Sequence, residues 1–582
     1  VCFWLQIFLQ KSYFRYFAKK KFTFIYDFNG MEVSMSKLYS FKNLVFTAVL
    51  TLFAVGQGFA ALSKDTDGYY KITSCEDLVE FSSNVNGDDS YSTWVTANAK
   101  VTQPIDMSCT QAFEPIGYSG VYDGGGGRAS GVNGYYQGSF DGQGFPISNL
   151  RIRSDSLNVG LFATLKKAKI SNVILVDADI VGTKPIGGGS EGDANDNPVS
   201  VGGIFGYGKE ESVVENCAVS GSLKSVGESY AIGGIGGNSD GGTIKNCLST
   251  VSIHVGGNTT YVGGILGKAA RWGGPVKIES CVYDGTYLDK FSVAVGGILG
   301  MKATEDNQTV NLALCFYNNK SADDAVGTAP SNGTLTQSDV GGSENLNTPK
   351  YKCLLNGGTW NGSECSNEQQ SIWDNEESIT NNGVGVGDKG EILFTITFDA
   401  NNGSFSAGNT TVKKQLKVGT AISVSDIEKP TRSGYTLVGW AENETDTEPL
   451  ASLGSVQRVD TLYAVWKQDV TIKFNAGSGH SFDGGAIEKT LTFAYGAKIS
   501  AETVGTPKDE PVGNVFMGWA NDATDAEPLS DLGVATVAKI FHAVWKNTTD
   551  TYRTVTFHSN GKGTAPVTQR VLDGGVAQKP TN

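Results

Sequence analysis

The chain has 582 residues, of which 75 are glycine and only 18% are charged. Glycine is about twice as frequent as the usual roughly 7%, and short apolar-alternating segments between glycine-rich turns predict an all-β protein. The formal net charge of −14 argues against a sequence-independent nucleic-acid partner, which requires a basic face. The length suits three or four domains of about 100–200 residues each.

Residues 1–34 are rich in aromatic residues and lysine, and they begin at Val1 rather than at Met. We interpret them as translated sequence upstream of a start at Met31 or Met35. A transmembrane helix is the competing interpretation. Lysines and Arg15 interrupt the segment well before the roughly 20 apolar residues that a span needs.

Residues 35–60 have the pattern of a secretory signal peptide. Lys37 and Lys42 precede an apolar run at 44–55, and small residues follow up to Ala60. We therefore expect cleavage near Ala60, a secreted or cell-surface protein, and no transmembrane span in the mature readable chain.

A Gly-Gly-Ile phrase recurs with a period near 30 residues, at 201–206, 232–237, 262–267 and 295–300. Each copy is followed by a strand-like phrase that ends in a cysteine. One turn of this period cannot bury its own apolar face, so stacked turns must bury a shared core. The period predicts a right-handed parallel β-helix or solenoid.

The Gly-Gly-Ile-hydrophobic-Gly text resembles the GLUG motif of bacterial surface proteins and adhesins. The phrases at 113–117 and 138–150 are similar to the entry of such a solenoid, so the resemblance covers about residues 66–320. It implies a surface-displayed β-solenoid and no particular activity. We assign the N-terminal cap and solenoid entry to 61–150, the GLUG-like solenoid to 151–320, and a solenoid exit with a cysteine loop to 321–365.

Inside the cap, Leu78, Phe81 and Val85 have helical spacing. They predict a short amphipathic helix from Cys75 to Asn86. Such a helix would cover the open end of the solenoid, where exposed strand edges otherwise favour aggregation.

Residues 366–390 are polar and glycine-rich, and we interpret them as a linker. Beyond them, three phrases recur in order, and two of these phrases end at tryptophans: Trp440 and Trp466 in the first copy, Trp519 and Trp545 in the second. Recurrence at matching positions indicates core tryptophans rather than exposed platforms for sugars.

These phrases closely resemble the Listeria–Bacteroides repeat, the B-type repeat of internalin proteins. The resemblance implies tandem small β-grasp-like modules that act as surface spacers. We assign repeat 1 to 391–467, repeat 2 to 468–547 and a truncated repeat 3 to 551–582. Half a module buries too little apolar surface to fold stably, so we expect the natural protein to continue beyond Asn582.

Four cysteines are candidates for disulfides, which an exported protein can form. Cys353 and Cys365 flank a short glycine-rich loop, and Cys75 and Cys109 could pair across the cap. The sequence leaves the connectivity open.

Cys217, Cys247, Cys281 and Cys315 occupy one register of successive turns. In-register neighbours would lie about 4.8 Å apart with parallel Cβ directions, a geometry that does not suit a disulfide. We expect a buried column of free thiols that pack as small hydrophobic groups.

No catalytic constellation stands out. A glycosidase needs two carboxylates held across a cleft. Asp177 and Asp179 alternate along one predicted strand and would share a face, Asp141 lies in a turn, and no Asp or Glu recurs in register along the solenoid. His254 lies in an alternating strand without a nucleophile beside it. The loop at 191–198 is rich in oxygen ligands but lacks EF-hand spacing. We expect no enzyme activity and no catalytic, cofactor or metal site.

These patterns predict a secreted bacterial cell-surface repeat protein, adhesin-like or a scaffold. Repeats create long faces that suit an extended partner, either a cell-wall, host or plant glycan or a surface protein. The alternative is the non-catalytic N-terminal part of an exported enzyme, polysaccharide-degrading or a protease, whose catalytic domain lies beyond Asn582.

Overall fold

The protein is described here from a computed structural model. The described residues are 62–87, 93–117, 135–183, 199–226, 230–256, 260–269, 274–287, 294–302, 309–318, 322–328, 334–343, 345–368, 373–375, 379–386, 392–425, 427–509, 513–547, 552–557, 567–572 and 576–578. The segment interpreted as upstream sequence (1–34), the segment interpreted as a signal peptide (35–60) and the oxygen-rich loop 191–198 lie outside the described residues. Residues 64–582 form one compact unit.

The protein is all-β, and its first part is a solenoid of parallel strands followed by smaller β modules. This confirms the fold class predicted from the sequence. Each full turn of the solenoid contributes one strand to each of four sheets, which we number 1 to 4. Because successive turns pair in register, a residue type that recurs in the sequence forms a column along the solenoid.

Sheets 1 and 2 run the length of the solenoid. Sheet 1 contains, in order, Tyr70–Ile72, Ala99–Val101, Ser139–Asp141, Lys169–Ser171, Val213–Glu215, Gly242–Lys245, Val276–Glu279, Thr309–Ala313 and Thr334–Ser338. Sheet 2 contains Ile105–Asp106, Pro146–Ser148, Ile174–Gly182, Ala218–Val226, Leu248–Ser249, Val282–Tyr283, Phe316–Asn318 and Gly341–Ser343, with Arg151–Ser154, Ser252–Gly256 and Thr286–Tyr287 as side branches.

Sheets 3 and 4 are shorter. Sheet 3 contains Asn158–Val159, Val199–Gly202, Tyr230–Gly233, Thr260–Gly263 and Ala294–Gly296. Sheet 4 contains Phe162–Lys166, Phe205–Lys209, Gly236–Asp240, Leu266–Ala269, Leu299–Lys302 and Val326–Thr328.

The two recurring phrases of the sequence are the two corners of each turn. In one turn the chain passes from sheet 3 to sheet 4 at Gly203 and Ile204, and from sheet 1 to sheet 2 at Asn216 and Cys217. The isoleucine and the cysteine are fully buried. The period read from the sequence is therefore the length of chain needed to go once around the solenoid.

Glycine recurs at the first corner because two backbones meet there. A Cβ atom added to Gly206 would lie 2.4 Å from the backbone nitrogen of Val159, and one added to Gly237 would lie 2.6 Å from that of Val201. Real Cβ atoms do not approach other atoms so closely. Sheets 3 and 4 thus pack backbone against backbone, and a larger residue would force them apart.

A helix closes the N-terminal end of the solenoid, as the spacing of its apolar residues predicts. The helix spans Cys75–Asn86, and the Ser74 side chain accepts a hydrogen bond from the Asp77 backbone N–H at its start. Leu78, Phe81 and Val85 are completely buried. The helix ends at Gly87, whose positive φ of 62° suits glycine.

The segment interpreted as a linker contains three short strands, so that interpretation needs correction. After the helix Pro349–Leu355 and the strand pair Thr359–Trp360 and Cys365–Ser366, the strands Trp373–Asn375, Ile379–Asn381 and Val384–Val386 pair in antiparallel fashion and extend the sheet of the first module. The turn at Asn382 and Gly383 has φ of 49° and 77°. Positive φ at both residues is the signature of the tight turn that Asn-Gly favours in hairpins.

Two small modules follow, each with a four-stranded mixed sheet. The first contains Ile392–Asp399, Thr411–Lys417, Tyr435–Ala441 and Asp460–Gln468. The second contains Val470–Asn475, Glu488–Phe493, Asn514–Ala520 and Lys539–Asn547, with the short helix Ala501–Val504 and the strand pair His480–Ser481 and Lys508–Asp509. In both, the first and last strands are parallel neighbours at the centre, an order typical of a β-grasp sheet. Tyr552–Phe557 and Val567–Leu572 form a further hairpin.

The first module packs against the outside of the solenoid. One continuous buried cluster includes Ile174, Ala218 and Leu248 on sheet 2 together with Trp373 and Phe394 near the start of the module. The second module has a separate core. This packing brings the first module to the corner between sheets 1 and 2, where the candidate site lies.

Candidate functional site

Side-chain amides line the corner between sheets 1 and 2. The amide of Asn246 donates to the oxygen of Asn216 (3.2 Å), Asn216 donates to Asn172 (3.3 Å), and Asn172 donates to the carboxylate of Asp141 (2.9 Å). The three asparagines have φ between 51° and 56°. Asparagine tolerates this left-handed backbone better than most residues, so the corner geometry selects it and stacks it in register.

The turn after Asp141 carries two further residues of the site. Asp141 accepts hydrogen bonds from the backbone N–H and from the side-chain amide of Gln143, both at 2.9 Å. Gln143 and Gly144 have positive φ, of 53° and 72°. This tight turn presents the half-buried ring of Phe145 towards the first module.

The first module supplies a cation to this corner. The guanidinium carbon of Arg458 lies 4.9 Å from the centre of the Phe145 ring, which is within the range of a cation–π contact. Beside it, the Asn382-Gly383 turn is fixed by a hydrogen bond from the Thr395 N–H to the Gly383 carbonyl (2.8 Å). The solenoid turn and the module therefore meet at an arginine stacked on an aromatic ring.

A cleft of about 420 Å³ lies at this junction. Its volume falls within the roughly 300–1,000 Å³ of typical ligand sites. Aliphatic side chains form part of its lining, and amides and one guanidinium provide the polar groups. The lining residues are Gln143, Gly144, Asn172, Ile174, Asn216, Ala218, Asn382, Val384, Arg458 and Val459.

Charged side chains next to the stacked amides of Asn172 and Asn216 are paired with each other. Lys169 and Glu215 lie 2.9 Å apart, and the hydrogen bond with Glu215 raises the pKa of Lys169 above its ordinary value. The carboxylate of Asp141 accepts three N–H groups. By contrast, no carboxylate and no hydrogen-bond acceptor engages the guanidinium of Arg458 among the residues that the structure describes.

The four cysteines considered for disulfides are joined in two pairs. Cys75 is bonded to Cys109 with a Cα–Cα distance of 6.2 Å, and Cys353 to Cys365 with 5.6 Å. The first bond ties the capping helix to the solenoid entry. The second closes the loop that follows the helix Pro349–Leu355.

The other four cysteines are free thiols in the solenoid core. Cys217, Cys247, Cys281 and Cys315 are each fully buried. Each thiol donates to a backbone carbonyl in its own turn, at 3.1–3.3 Å. Burial raises the pKa of the Cys217 and Cys281 thiols well above the ordinary range. They form part of the core and lie away from the cleft.

The carboxylates considered for catalysis do not form a pair across the cleft. Asp177 lies at a bulge of its strand with φ of 54°, and Asp179 pairs with Arg153. His254 is half-exposed on a sheet 2 strand. Within the described ranges, no three His, Cys, Asp or Glu side chains come together as a metal-binding group.

The recurring tryptophans occupy matching positions in both modules. Trp440 and Trp519 are buried at 5% and 1% exposure. Trp466 and Trp545 are half-buried, and their indole N–H groups donate to the carbonyls of Ala400 and Ala476 at 2.9 and 2.8 Å. All four therefore serve the packing of the modules.

The second module has one polar cluster of its own. The ring of His480 stacks on Trp545 with centres 3.8 Å apart, and its Nδ1 lies 3.0 Å from a carboxylate oxygen of Asp509. Backbone N–H groups of Asn514 and Gly513 donate to that carboxylate, and the hydrogen bond from Asn514 does most to hold the pKa of Asp509 below its ordinary value. This arrangement closes a loop of the module.

The residues of the cleft were not predicted from the sequence. Asn172 and Asn216 carried a signal, because asparagine precedes the core position in three turns, at Val173, Cys217 and Cys247, whereas Ser280 and Leu314 take this place in the next two. Arg458 carried none, because its partner Phe145 is more than 300 residues away in the chain. Only the packing of the first module against the solenoid brings these residues together.

The comparisons with known proteins concern the modules most directly. Residues 394–465 match the family described as the Listeria-Bacteroides repeat domain, which confirms that part of the resemblance. A relative named as a membrane protein, from Evansella cellulosilytica, is 28% identical over 159 residues, which is 27% of this chain and 21% of the relative. The chain therefore spans about a fifth of that relative's length.

A crystal structure of a protein named as an immunoglobulin A1 protease, from Bacteroides ovatus, is also similar. It shares 16% identity with a TM-score of 0.32, and the match covers 59% of this chain and 96% of that one. None of the helices in the described part of the chain is long and apolar enough to cross a membrane.

Proposed function

We propose that the protein is a secreted bacterial surface protein that binds an extended partner, and that it acts as an adhesin or scaffold rather than as an enzyme. The resemblance of its solenoid to the GLUG motif and the match of residues 394–465 to the Listeria-Bacteroides repeat domain support the surface setting. The signal-peptide pattern at 35–60 supports export.

The observation that carries the binding role is the cleft at the junction. It is bordered by the amides of Asn172 and Asn216, which lie in successive turns of the solenoid, so a chain-like ligand can contact both turns. Its polar groups are amides and a guanidinium, which bind but do not transfer protons at neutral pH. A glycan is the partner that this chemistry favours.

The test is a glycan array probed with the secreted chain, combined with an assay for released reducing ends or unsaturated products. We expect binding of a chain-like glycan without turnover. Product release that depends on residues of the solenoid would overturn the non-catalytic role. Absence of binding to every glycan, together with capture of a surface protein, would assign the partner to the protein class.

A further inference from the structure

We propose that the junction cleft binds a carboxylate-bearing sugar of an extended glycan, with Arg458 as the ligand of the carboxylate and the amides of the corner as ligands of the sugar hydroxyls. This rests on the proposed function and names the chemical class of its partner. Four observations carry it.

The first is the state of the arginine. Its guanidinium carbon lies 4.9 Å from the centre of the Phe145 ring, and none of its five N–H donors has a hydrogen-bond partner among the residues described in the structure. The Arg458 side chain is exposed, so its N–H groups are available to a ligand. A planar, fixed fork of N–H groups matches the two oxygens of a carboxylate.

The second is the comparison between the two modules. Arg458 lies four residues before Leu462, and Val537 lies four residues before Phe541, which holds the equivalent place beside the opening strand. Val537 is 58% exposed. The module fold therefore places this position at the surface and does not require arginine there. The arginine occurs in the module that packs against the solenoid.

The third is the unused capacity of the amides. Asn172 donates one N–H to Asp141 and accepts from Asn216, and Asn216 likewise donates once and accepts once. A side-chain amide has two N–H donors and two lone pairs. Each of these half-exposed amides thus keeps one donor and one acceptor, the combination that a sugar hydroxyl requires.

The fourth is the state of the backbone in the cleft. Ile174 and Ala218 pair with each other inside sheet 2, and the Ala218 N–H donates to Val173 at 2.9 Å. An extended peptide binds a sheet mainly by hydrogen bonds to an unpaired edge, and these lining strands offer none. Side-chain amides above an aliphatic surface are better suited to a sugar ring.

The proposal is tested with the full secreted chain and three soluble probes of similar length: a hexuronic acid oligosaccharide, its methyl ester, which is neutral, and an acidic peptide. Binding is measured by isothermal titration calorimetry. We expect the acidic oligosaccharide to bind and the methyl ester to bind about 10- to 100-fold more weakly, the range that one charged hydrogen-bond pair supports.

The key variant is Arg458→Val, because valine occupies the equivalent position in the second module. It should lower affinity for the acidic oligosaccharide by about 10- to 100-fold and leave affinity for the methyl ester unchanged. Asn216→Asp keeps the shape of the corner and adds a negative charge, so it should weaken the acidic probe more than the neutral one.

Two controls separate charge at the cleft from charge elsewhere. Arg432 stacks on Tyr435 at 3.9 Å in the same module but outside the cleft, so Arg432→Gln removes the same charge and should change nothing. Val537→Arg adds an arginine to the second module and should not increase binding. Protection of the solenoid thiols in each variant shows that the fold is retained.

The outcomes are distinguishable. Equal binding of both oligosaccharides, unchanged by Arg458→Val, would overturn the carboxylate assignment and leave glycan binding intact. Binding of the acidic peptide alone would overturn the sugar class. If no glycan, acidic or neutral, bound to the chain, the proposed glycan-binding function itself would fail.

Discussion

Replacing Gly236 by alanine should destabilise the solenoid through a single contact. A Cβ atom at this position would lie 2.1 Å from Cζ of Phe205 and 2.6 Å from two other ring atoms. Ordinary van der Waals contact begins at 3.4 Å, so the ring must move by 1.3 Å, the difference between these distances. Phe205 is 2% exposed, so the ring cannot relieve the clash by turning into solvent without disturbing its neighbours.

Overpacking of a buried site costs about 1–3 kcal/mol. We expect the upper part of that range for Gly236→Ala, because three atoms of one ring clash at once. The matched control is Gly341→Ala, also in a solenoid strand, where an added Cβ would meet nothing within 4 Å. This control should change the free energy of unfolding by less than about 0.5 kcal/mol.

The four buried thiols provide an assay that is specific for the solenoid. Pulse alkylation along a urea gradient, read by mass spectrometry at each cysteine, gives a midpoint for Cys217, Cys247, Cys281 and Cys315 separately. The other modules do not contribute to this signal, since none of these cysteines lies in them. A multi-domain chain needs such a local probe because a global unfolding curve would mix several transitions.

A double-mutant cycle with Phe205→Leu isolates the contact. Leucine lacks the ring atoms that clash, so Gly236→Ala should cost less than about 1 kcal/mol in that background. An equal cost in both backgrounds would refute the argument, because the strain would then come from the backbone. So would a comparable loss in the Gly341→Ala control.

Three other properties follow from the structure. The pKa of the Cys217 and Cys281 thiols is raised in the fold, so above the ordinary value of about 8.5 the unfolded chain loses protons that the folded chain keeps. The free energy of unfolding, measured in urea, should therefore fall by about 1.4 kcal/mol per pH unit for each thiol above that value. The decrease should be smaller in a variant with alanine at both positions. Replacing Cys75 and Cys109 by serine removes their disulfide and should lower the stability of the cap by about 3–4 kcal/mol. The first turns should then be alkylated or proteolysed at lower urea concentration, and an unchanged midpoint would contradict this expectation. The pKa of Asp509 is lowered in the fold, so the carboxylate stabilises the second module above the unfolded pKa near 3.9, and this contribution is lost as pH falls through the lower folded pKa. NMR titration of the Asp509 carboxyl carbon should show the depressed pKa. The variant Asn514→Pro removes the main hydrogen-bond donor and should raise the pKa of Asp509.

The sequence was informative wherever packing recurs. The Gly-Gly-Ile phrase could be interpreted because the close approach at Gly206 is repeated at Gly237 and in later turns, and each repetition requires glycine again. The column of thiols could be predicted from the sequence for the same reason. A parallel solenoid converts similarity along the chain into contact in space, so the period alone predicts both the strands and the inward-facing residues.

The hairpin before the first module was missed although its signal was present. Asn382-Gly383 lies between the short strands Ile379–Asn381 and Val384–Val386. Asn-Gly between two strand-like segments is the pattern of a two-residue hairpin. The polar composition of residues 366–390 predicts a linker, and this prediction took precedence over the Asn-Gly turn signal. Composition reports average solvation, whereas one Asn-Gly pair fixes the local backbone.

The cleft could not be predicted, because it depends on a non-local contact between two repeat systems. In both systems the recurring residues are used for packing: glycine, isoleucine and cysteine in the solenoid, tryptophan and phenylalanine in the modules. A residue that departs from its repeat is therefore free of that role. Arg458 departs from its equivalent, Val537, and it lies on the surface of the first module that lines the cleft with Asn172 and Asn216.

If Arg458 served the module fold, its equivalent would be charged too; instead the equivalent residue is Val537, which is 58% exposed. If the arginine served only to attach the module to the solenoid, the buried cluster around Trp373 and Phe394 would make it redundant, since that cluster already joins the two. Arg458→Val should thus leave the midpoints of the solenoid thiols and the packing of the first module unchanged while it alters binding. A variant that lost both together would show that the arginine holds the junction rather than a ligand.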